Sequence, residues 1–142
     1  MNHYPFHVGD YAKETRHLTV AEDLAYRRIL DLYYSDEVAP EGTPKEIARR
    51  VAMVEHADCV EQVLNEFFVR NASALQAQSD GSARWTHKRV EAELKRYRDK
   101  KKQASKAAAT RWASSPNADA LRSQCGRYAN QNHNQNHEPE VD

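Results

Sequence analysis

Cysteine, glycine and long apolar runs are all scarce in this chain of 142 residues. The two cysteines, Cys59 and Cys125, are too far apart to form a C-x-x-C pair, so we expect reduced thiols and neither a zinc ribbon nor a disulfide framework. The four glycines form no phosphate-binding loop and no G-x-S-x-G nucleophile motif. No segment approaches the roughly 20 apolar residues of a transmembrane helix. We therefore expect a cytoplasmic protein without a signal peptide or membrane span.

Histidine pairs are the only hint of a metal site in the sequence. His3 and His7, like His133 and His137, are four positions apart, a spacing that places two ligands on one helical face. Pro5 interrupts the first pair, the second lies in Asn/Gln-rich sequence, and zinc needs three or four ligands. We expect no metal, no cofactor and no catalytic residues, and hence a protein that is not an enzyme.

Charge is distributed very unevenly, although the 21 basic and 21 acidic residues cancel over the whole chain. Residues 1–83 contain 8 Lys and Arg against 14 Asp and Glu, a net charge of −6. Residues 84–112 contain 11 against 3, a net charge of +8, and residues 113–142 have a net charge of −2. A concentrated positive segment attracts polyanions even in a neutral molecule.

Two helix starts are marked by capping boxes, in which a threonine is followed three residues later by a glutamate. The first box pairs Thr19 with Glu22 and predicts a helix to about residue 34. The second pairs Thr43 with Glu46, with Pro44 at the favoured first helical position. Before the first box we expect residues 1–17 to form a loosely structured lead-in that docks its aromatic side chains.

A third helix follows a short turn at residues 55–57. Asp58 is its expected N-cap, and the apolar spacing of its buried stripe fits a helix throughout: Val60, Val63, Leu64, Phe67 and Phe68. Strands are predicted at residues 67–70 and 83–87, paired across Asp80-Gly81. The sequence thus predicts a mainly α, winged-helix-like fold with a helix-turn-helix core and a small two-stranded β wing.

A long helix is predicted from Lys88 to Trp112, because this stretch lacks glycine and proline and is rich in strong helix formers. Its apolar positions Val90, Leu94 and Tyr97 stop half-way, after which like charges repel one another unless an anion neutralises them. We divide the chain into a winged-helix-like domain (1–98), a basic helical extension (99–113) and a disordered Asn/Gln-rich tail (114–142).

The basic segment makes DNA the expected partner, mostly through phosphate contacts. The candidate DNA-binding residues are Arg70, Arg84, Lys88, Arg89, Lys95, Arg96, Arg98, Lys100, Lys101, Lys102, Lys106 and Arg111. Secondary candidates on the second helix are Lys45, Arg49 and Arg50.

The composition of the third helix argues against its binding in the major groove of DNA as the recognition helix of a helix-turn-helix protein does. Beside its apolar stripe it offers Asp58, Glu61 and Glu66, and DNA phosphates would repel these carboxylates. A non-catalytic protein-interaction module that engages a replication or host protein is therefore an open alternative. A small transcriptional regulator is another.

Several segments resemble the YdaU-like family of phage and prophage proteins. The resemblance is carried by Phe6-His-Val-Gly-Asp-Tyr11, by residues 25–34 (AYRRILDLYY) and by Trp85-Thr-His-Lys-Arg89, and it covers about residues 3–96. Residues 104–112 resemble the basic linker that often follows. The resemblance implies a winged-helix domain like those of replication initiators, encoded among phage replication genes. It implies no catalytic residues.

Overall fold

The structure is a computed structural model that describes residues 1–71 and 81–114. The described part is mainly helical with a small antiparallel sheet, and the chain divides into two units after Tyr97. The elements in chain order are α1 (Val8–Thr15), α2 (Val20–Asp36), β1 (Glu41–Gly42), α3 (Pro44–Arg50), a 3-10 turn (Val54–His56), α4 (Ala57–Phe67), β2 (Val69–Asn71), β3 (Ala83–Thr86) and α5 (Lys88–Ala113).

Both predicted capping boxes are confirmed. Thr19 Oγ1 accepts a hydrogen bond from the backbone N–H of Glu22 at 3.3 Å, and the Glu22 carboxylate accepts one from the backbone N–H of Thr19 at 2.7 Å. Thr43 and Glu46 repeat the arrangement at the start of α3, where Pro44 occupies the first helical position. These local signals fix where α2 and α3 begin, because they satisfy N–H groups that the helix leaves unpaired.

The N-terminal lead-in is helical over α1, so the prediction of a loose segment was wrong there. Tyr11, in α1, stacks on Tyr26 of α2 with ring centroids 5.7 Å apart, and its hydroxyl donates to Asp23 at 2.5 Å. The Arg27 guanidinium lies 4.3 Å from the centre of the Phe6 ring. These tertiary contacts stabilise a short helix whose sequence carries no strong start signal.

The beginning of α4 also differs from the prediction. The helix starts at Ala57, directly after the 3-10 turn, and its N-cap, His56, makes no side-chain capping hydrogen bond. Asp58 is therefore inside the first turn, where its charge still favours the positive end of the helix dipole. The apolar spacing of Ile47, Val51 and Val54 in the sequence predicts a longer second helix, but Val54 lies beyond the end of α3, in the 3-10 turn, and is 61% exposed.

Within residues 1–71 and 81–114, the sheet has three strands in the order β1-β3-β2, rather than the two predicted. Arg70 pairs with Trp85 across β2 and β3, and Gly42 pairs with Ala83 across β1 and β3. The indole N–H of the buried Trp85 donates to the Gly42 carbonyl at 3.2 Å, and its backbone N–H donates to the Pro40 carbonyl at 2.9 Å. A two-residue strand held by a distant tryptophan has no sequence pattern of its own.

The hydrophobic core of the first unit is centred on α2. Tyr26, Tyr33 and Tyr34 are at most 4% exposed and pack with residues of α3, α4, β3 and the start of α5. These tyrosines are therefore core residues, and they are not available for stacking on the bases of a nucleic acid. None of the helices among the described residues is both long and apolar enough to cross a membrane.

Candidate nucleic-acid interface

Helix α5 is 26 residues long and begins on the core. Val90 and Leu94 are fully buried. The hydroxyl of Tyr33 donates to the Glu91 carboxylate, and the hydroxyl of Tyr34 donates to the Glu93 carboxylate at 2.9 Å. Two of the three acidic residues between positions 84 and 112 are therefore engaged by tyrosines of α2, and they anchor the first turns of the helix.

Beyond Tyr97 every described residue of α5 is exposed. These positions carry six basic side chains, Arg98, Lys100, Lys101, Lys102, Lys106 and Arg111, and one acidic side chain, Asp99. Among the described residues, no carboxylate forms an ion pair with any of the four lysines. The earlier candidates Lys88, Lys95 and Arg96 are exposed as well.

Several predicted DNA contacts in the first unit instead have partners within the protein. Arg89 pairs with Asp10 of α1 at 3.0 Å and with Glu93 at 3.5 Å. Arg50 pairs with Asp36 at 3.0 Å, and Arg84 lies 3.8 Å from Glu41. The Arg89–Glu93 pair lies within α5, whereas each of the other three pairs joins two structural elements. These arginines therefore have a role in holding the fold whether or not they meet DNA.

Two other candidates share one cleft. Lys45, at the start of α3, and Arg70, on β2, line a cavity of about 380 Å³ together with Glu61, Asn65 and Trp85. The Arg70 guanidinium donates to the Gly81 carbonyl at 3.3 Å. Arg49 is exposed on α3. The structure thus places Lys45 and Arg70 on one cavity, but the carboxylate of Glu61 lines the same cavity and weakens the positive field.

The exposed face of α4 is acidic. Asp58, Glu61 and Glu66 are all exposed, next to Gln62 and Asn65. Glu66 is in contact with His17, which approaches from the segment between α1 and α2. The face offers carboxylates and amides rather than cations, so its chemistry suits a basic or polar protein surface better than a phosphate backbone.

Burial perturbs the ionisable groups between α2 and α5. The pKa values of Tyr33 and Tyr34 are raised, first by desolvation and then by the hydrogen bonds to Glu91 and Glu93. Burial raises the pKa of Tyr26 to about 12. The pKa of His87 is lowered, chiefly by desolvation, and its ring lies 3.1 Å from the Tyr26 hydroxyl. These groups are neutral in the folded protein near neutral pH.

The described residues include no cluster of three or more His, Cys, Asp or Glu side chains arranged to hold a metal ion. Cys59 is half-buried, and burial raises the pKa of its thiol, which makes it a weak nucleophile. Cys125 and the pair His133 and His137 lie outside the described residues.

Sequence reasoning missed the roles of two adjacent arginines on α2. Arg28 donates to the carbonyls of Val51 and Ala52 at 3.1 and 2.9 Å, and so covers the C-terminal end of α3. Arg27 stacks on Phe6 and holds the N-terminal segment. The available signal was their position within an otherwise largely buried helix, where a charged side chain needs a specific partner.

The fold and its surface define a mainly helical protein with a small antiparallel sheet and a strongly basic helix. Residues 2–95 match the sequence profile of a family of proteins of unknown function, DUF1376, and the chain belongs to this family. The cations at positions 98–111 lie beyond the matched region. No curated protein and no solved structure matches the chain.

Proposed function

We propose that this protein is a DNA-binding accessory protein of phage or prophage DNA replication. In this proposal the basic part of α5 contacts the phosphate backbone. The first unit, Met1–Tyr97, acts as a winged-helix domain that positions the protein on its partner. The replication setting is supported by the resemblance of residues 3–96 to YdaU-like phage and prophage proteins.

The observation that carries DNA binding is the exposed cationic run after Tyr97. Between positions 98 and 113 of α5, six Lys and Arg side chains are exposed against a single Asp. Like charges this dense on an isolated helix oppose its folding, and a polyanion removes the repulsion and releases its own counterions. Contact with DNA should therefore stabilise the helical state of this segment more than water does.

The element order supports the winged-helix interpretation. Helix α2 is followed by β1, by the pair α3 and α4, and by the antiparallel strands β2 and β3. The sheet order β1-β3-β2 places the first strand beside the last, as is typical of a helix-turn-helix unit with a wing.

The test is fluorescence anisotropy of labelled DNA against the full chain, titrated in salt. With five or six phosphate contacts, log K should fall against log salt with a slope of about −5. The double variant Lys100→Gln/Lys102→Gln should make the slope shallower by about two and weaken binding.

The matched control is Lys45→Gln/Arg49→Gln, which removes the same charge from exposed positions on α3. It should leave the slope nearly unchanged, because the acidic side chains of the first unit offset its cations. Equal effects of the two double variants would contradict a site on α5. Absence of binding at low salt would refute DNA binding altogether.

A protein-interaction module is the second candidate function, and the acidic face of α4 is the observation that favours it. The variant Glu61→Gln/Glu66→Gln neutralises this face. If α4 lies against DNA, neutralisation should tighten DNA binding, because it removes repulsion. If α4 lies against a protein, DNA affinity should stay constant while affinity for a purified replication partner falls.

A further inference from the structure

We infer that residues 98–113 of α5 bind in the major groove of duplex DNA, with Gln103 facing the base edges. This inference rests on the proposed DNA binding and specifies which form of DNA and which side of the helix are involved. It is carried by the distribution of charges around the helix, and not by their number.

Basic side chains occupy two opposite edges of the helix. Successive residues turn by about 100°, so residues four or eleven positions apart lie on nearly the same side. One edge carries Arg98, Lys102 and Lys106 at four-residue steps. Lys100 and Arg111 are eleven positions apart and lie on the roughly opposite edge. The helix is therefore positive along two lines rather than one.

The strip between these edges carries groups that read bases. Asp99, Gln103 and Thr110 follow one another along it, and all three are exposed. Glutamine pairs with the adenine edge through two hydrogen bonds, and aspartate accepts from the cytosine amino group. The Thr110 hydroxyl donates to the Lys106 carbonyl at 2.9 Å, which leaves its methyl group for apolar contact.

The opposite strip has a different composition. It consists of Lys101, Ala104, Ala108 and Trp112. Only Lys101 on this strip is charged, and Trp112 is 75% exposed. A strip of small and apolar residues offers few hydrogen-bonding groups to base edges, so we place it away from the floor of the groove.

Two cationic edges match the geometry of duplex DNA. The major groove is about 12 Å wide, an α-helix with its side chains is about 10–12 Å across, and phosphates border the groove on both sides. A single strand has one phosphate backbone and is recognised by stacking of its bases on aromatic side chains. Trp112 is the sole aromatic residue in 98–114, and it lies on the side away from Gln103. The arrangement favours the duplex.

The adjacent pair Lys101 and Lys102 provides a sharp test, since both are exposed lysines but point in different directions. Using the full chain and a mixed-sequence duplex about two helical turns long, we expect Lys102→Ala to lose one phosphate contact. That loss lowers affinity about fivefold near physiological salt and makes the salt slope shallower by about one. Lys101→Ala should change both quantities much less. Methyl green, which occupies the major groove, should displace the protein, whereas the minor-groove ligand netropsin should not.

Four results would count against the inference, and they can be distinguished from one another. Equal losses for Lys101→Ala and Lys102→Ala, displacement by netropsin, or equal affinity for the matching single strand would overturn groove binding but leave DNA binding intact. No binding to either form of DNA at low salt would overturn this inference and the proposed function together.

Discussion

The tyrosines that link α2 to α5 make the folded protein sensitive to alkaline pH. Tyr26, Tyr33 and Tyr34 are nearly inaccessible, and the pKa values of all three are raised by burial. In the unfolded chain they ionise at about pH 10. Between that pH and the higher folded pKa values, the unfolded state binds fewer protons than the folded state, so the free energy of unfolding falls as pH rises.

The expected loss is large compared with the stability of a small domain. Consider a tyrosine that ionises at about pH 10 in the unfolded chain and near pH 12 or above in the folded protein. At about pH 11, such a tyrosine lowers the free energy of unfolding by about 1.4 kcal/mol. Three such residues together lower the free energy of unfolding by about 4 kcal/mol, whereas the whole free energy of unfolding of a typical domain is roughly 5–15 kcal/mol. We expect the protein to unfold as pH rises further, because a tyrosinate beside Glu91 or Glu93 would be repelled by the carboxylate.

The assay is urea denaturation followed by circular dichroism at several pH values, together with tyrosine absorbance near 295 nm. Lysines also titrate in this pH range, so the variant Tyr34→Phe is needed to isolate the contribution of one tyrosine to the change in stability. At neutral pH it loses the hydrogen bond to Glu93 and should be less stable by about 1 kcal/mol. At about pH 11 the parent chain is destabilised by the ionisation of Tyr34 in its unfolded state, whereas the variant has no hydroxyl at this position. The difference in stability between the two should therefore shrink or reverse.

The reasoning would be refuted if the free energy of unfolding at about pH 11 equalled that at about pH 8. It would also fail if all tyrosines of the folded protein titrated together at their ordinary pKa. A constant difference between Tyr34→Phe and the parent chain at every pH would show that Tyr34 ionises equally in both states.

Four further predictions follow from other contacts. Thr43→Ala should lower the free energy of unfolding by about 1 kcal/mol by removing a cap, and Leu94→Ala by about 2–5 kcal/mol by opening a cavity, both measured by urea denaturation. Because burial lowers the pKa of His87 in the folded protein, the unfolded state takes up its proton first as pH falls. The free energy of unfolding should therefore decline as pH falls through about 6.5, the ordinary pKa of histidine, and should decline less in His87→Gln. Arg89→Gln should cost about 1 kcal/mol of stability by breaking its exposed pair with Asp10, while DNA affinity in anisotropy changes little; a loss of affinity without loss of stability would contradict the structural role.

The candidate site could be located from the sequence, but its internal geometry could not. The absence of glycine and proline after Lys88, and the excess of Lys and Arg, predict both a long helix and its charge, and the structure contains this helix as Lys88–Ala113. From the sequence alone, Arg84, Arg89 and Lys102 are equivalent candidates for contact with DNA phosphates. Only the folded chain distinguishes them, because their carboxylate partners, Glu41 and Asp10, are 43 and 79 positions away along the chain.

The sequence alone predicted those features that depend on interactions between residues close together in the chain. A capping box satisfies its own N–H groups within four residues, and helix formers act through their own backbones, so the starts of α2 and α3 and the extent of α5 needed no tertiary information. The tertiary structure decided the helical state of α1 and the presence of the additional strand β1. Each depends on a partner far along the chain, such as Tyr26 for α1 and Trp85 for β1, and a contact of that kind leaves no periodic trace in the sequence.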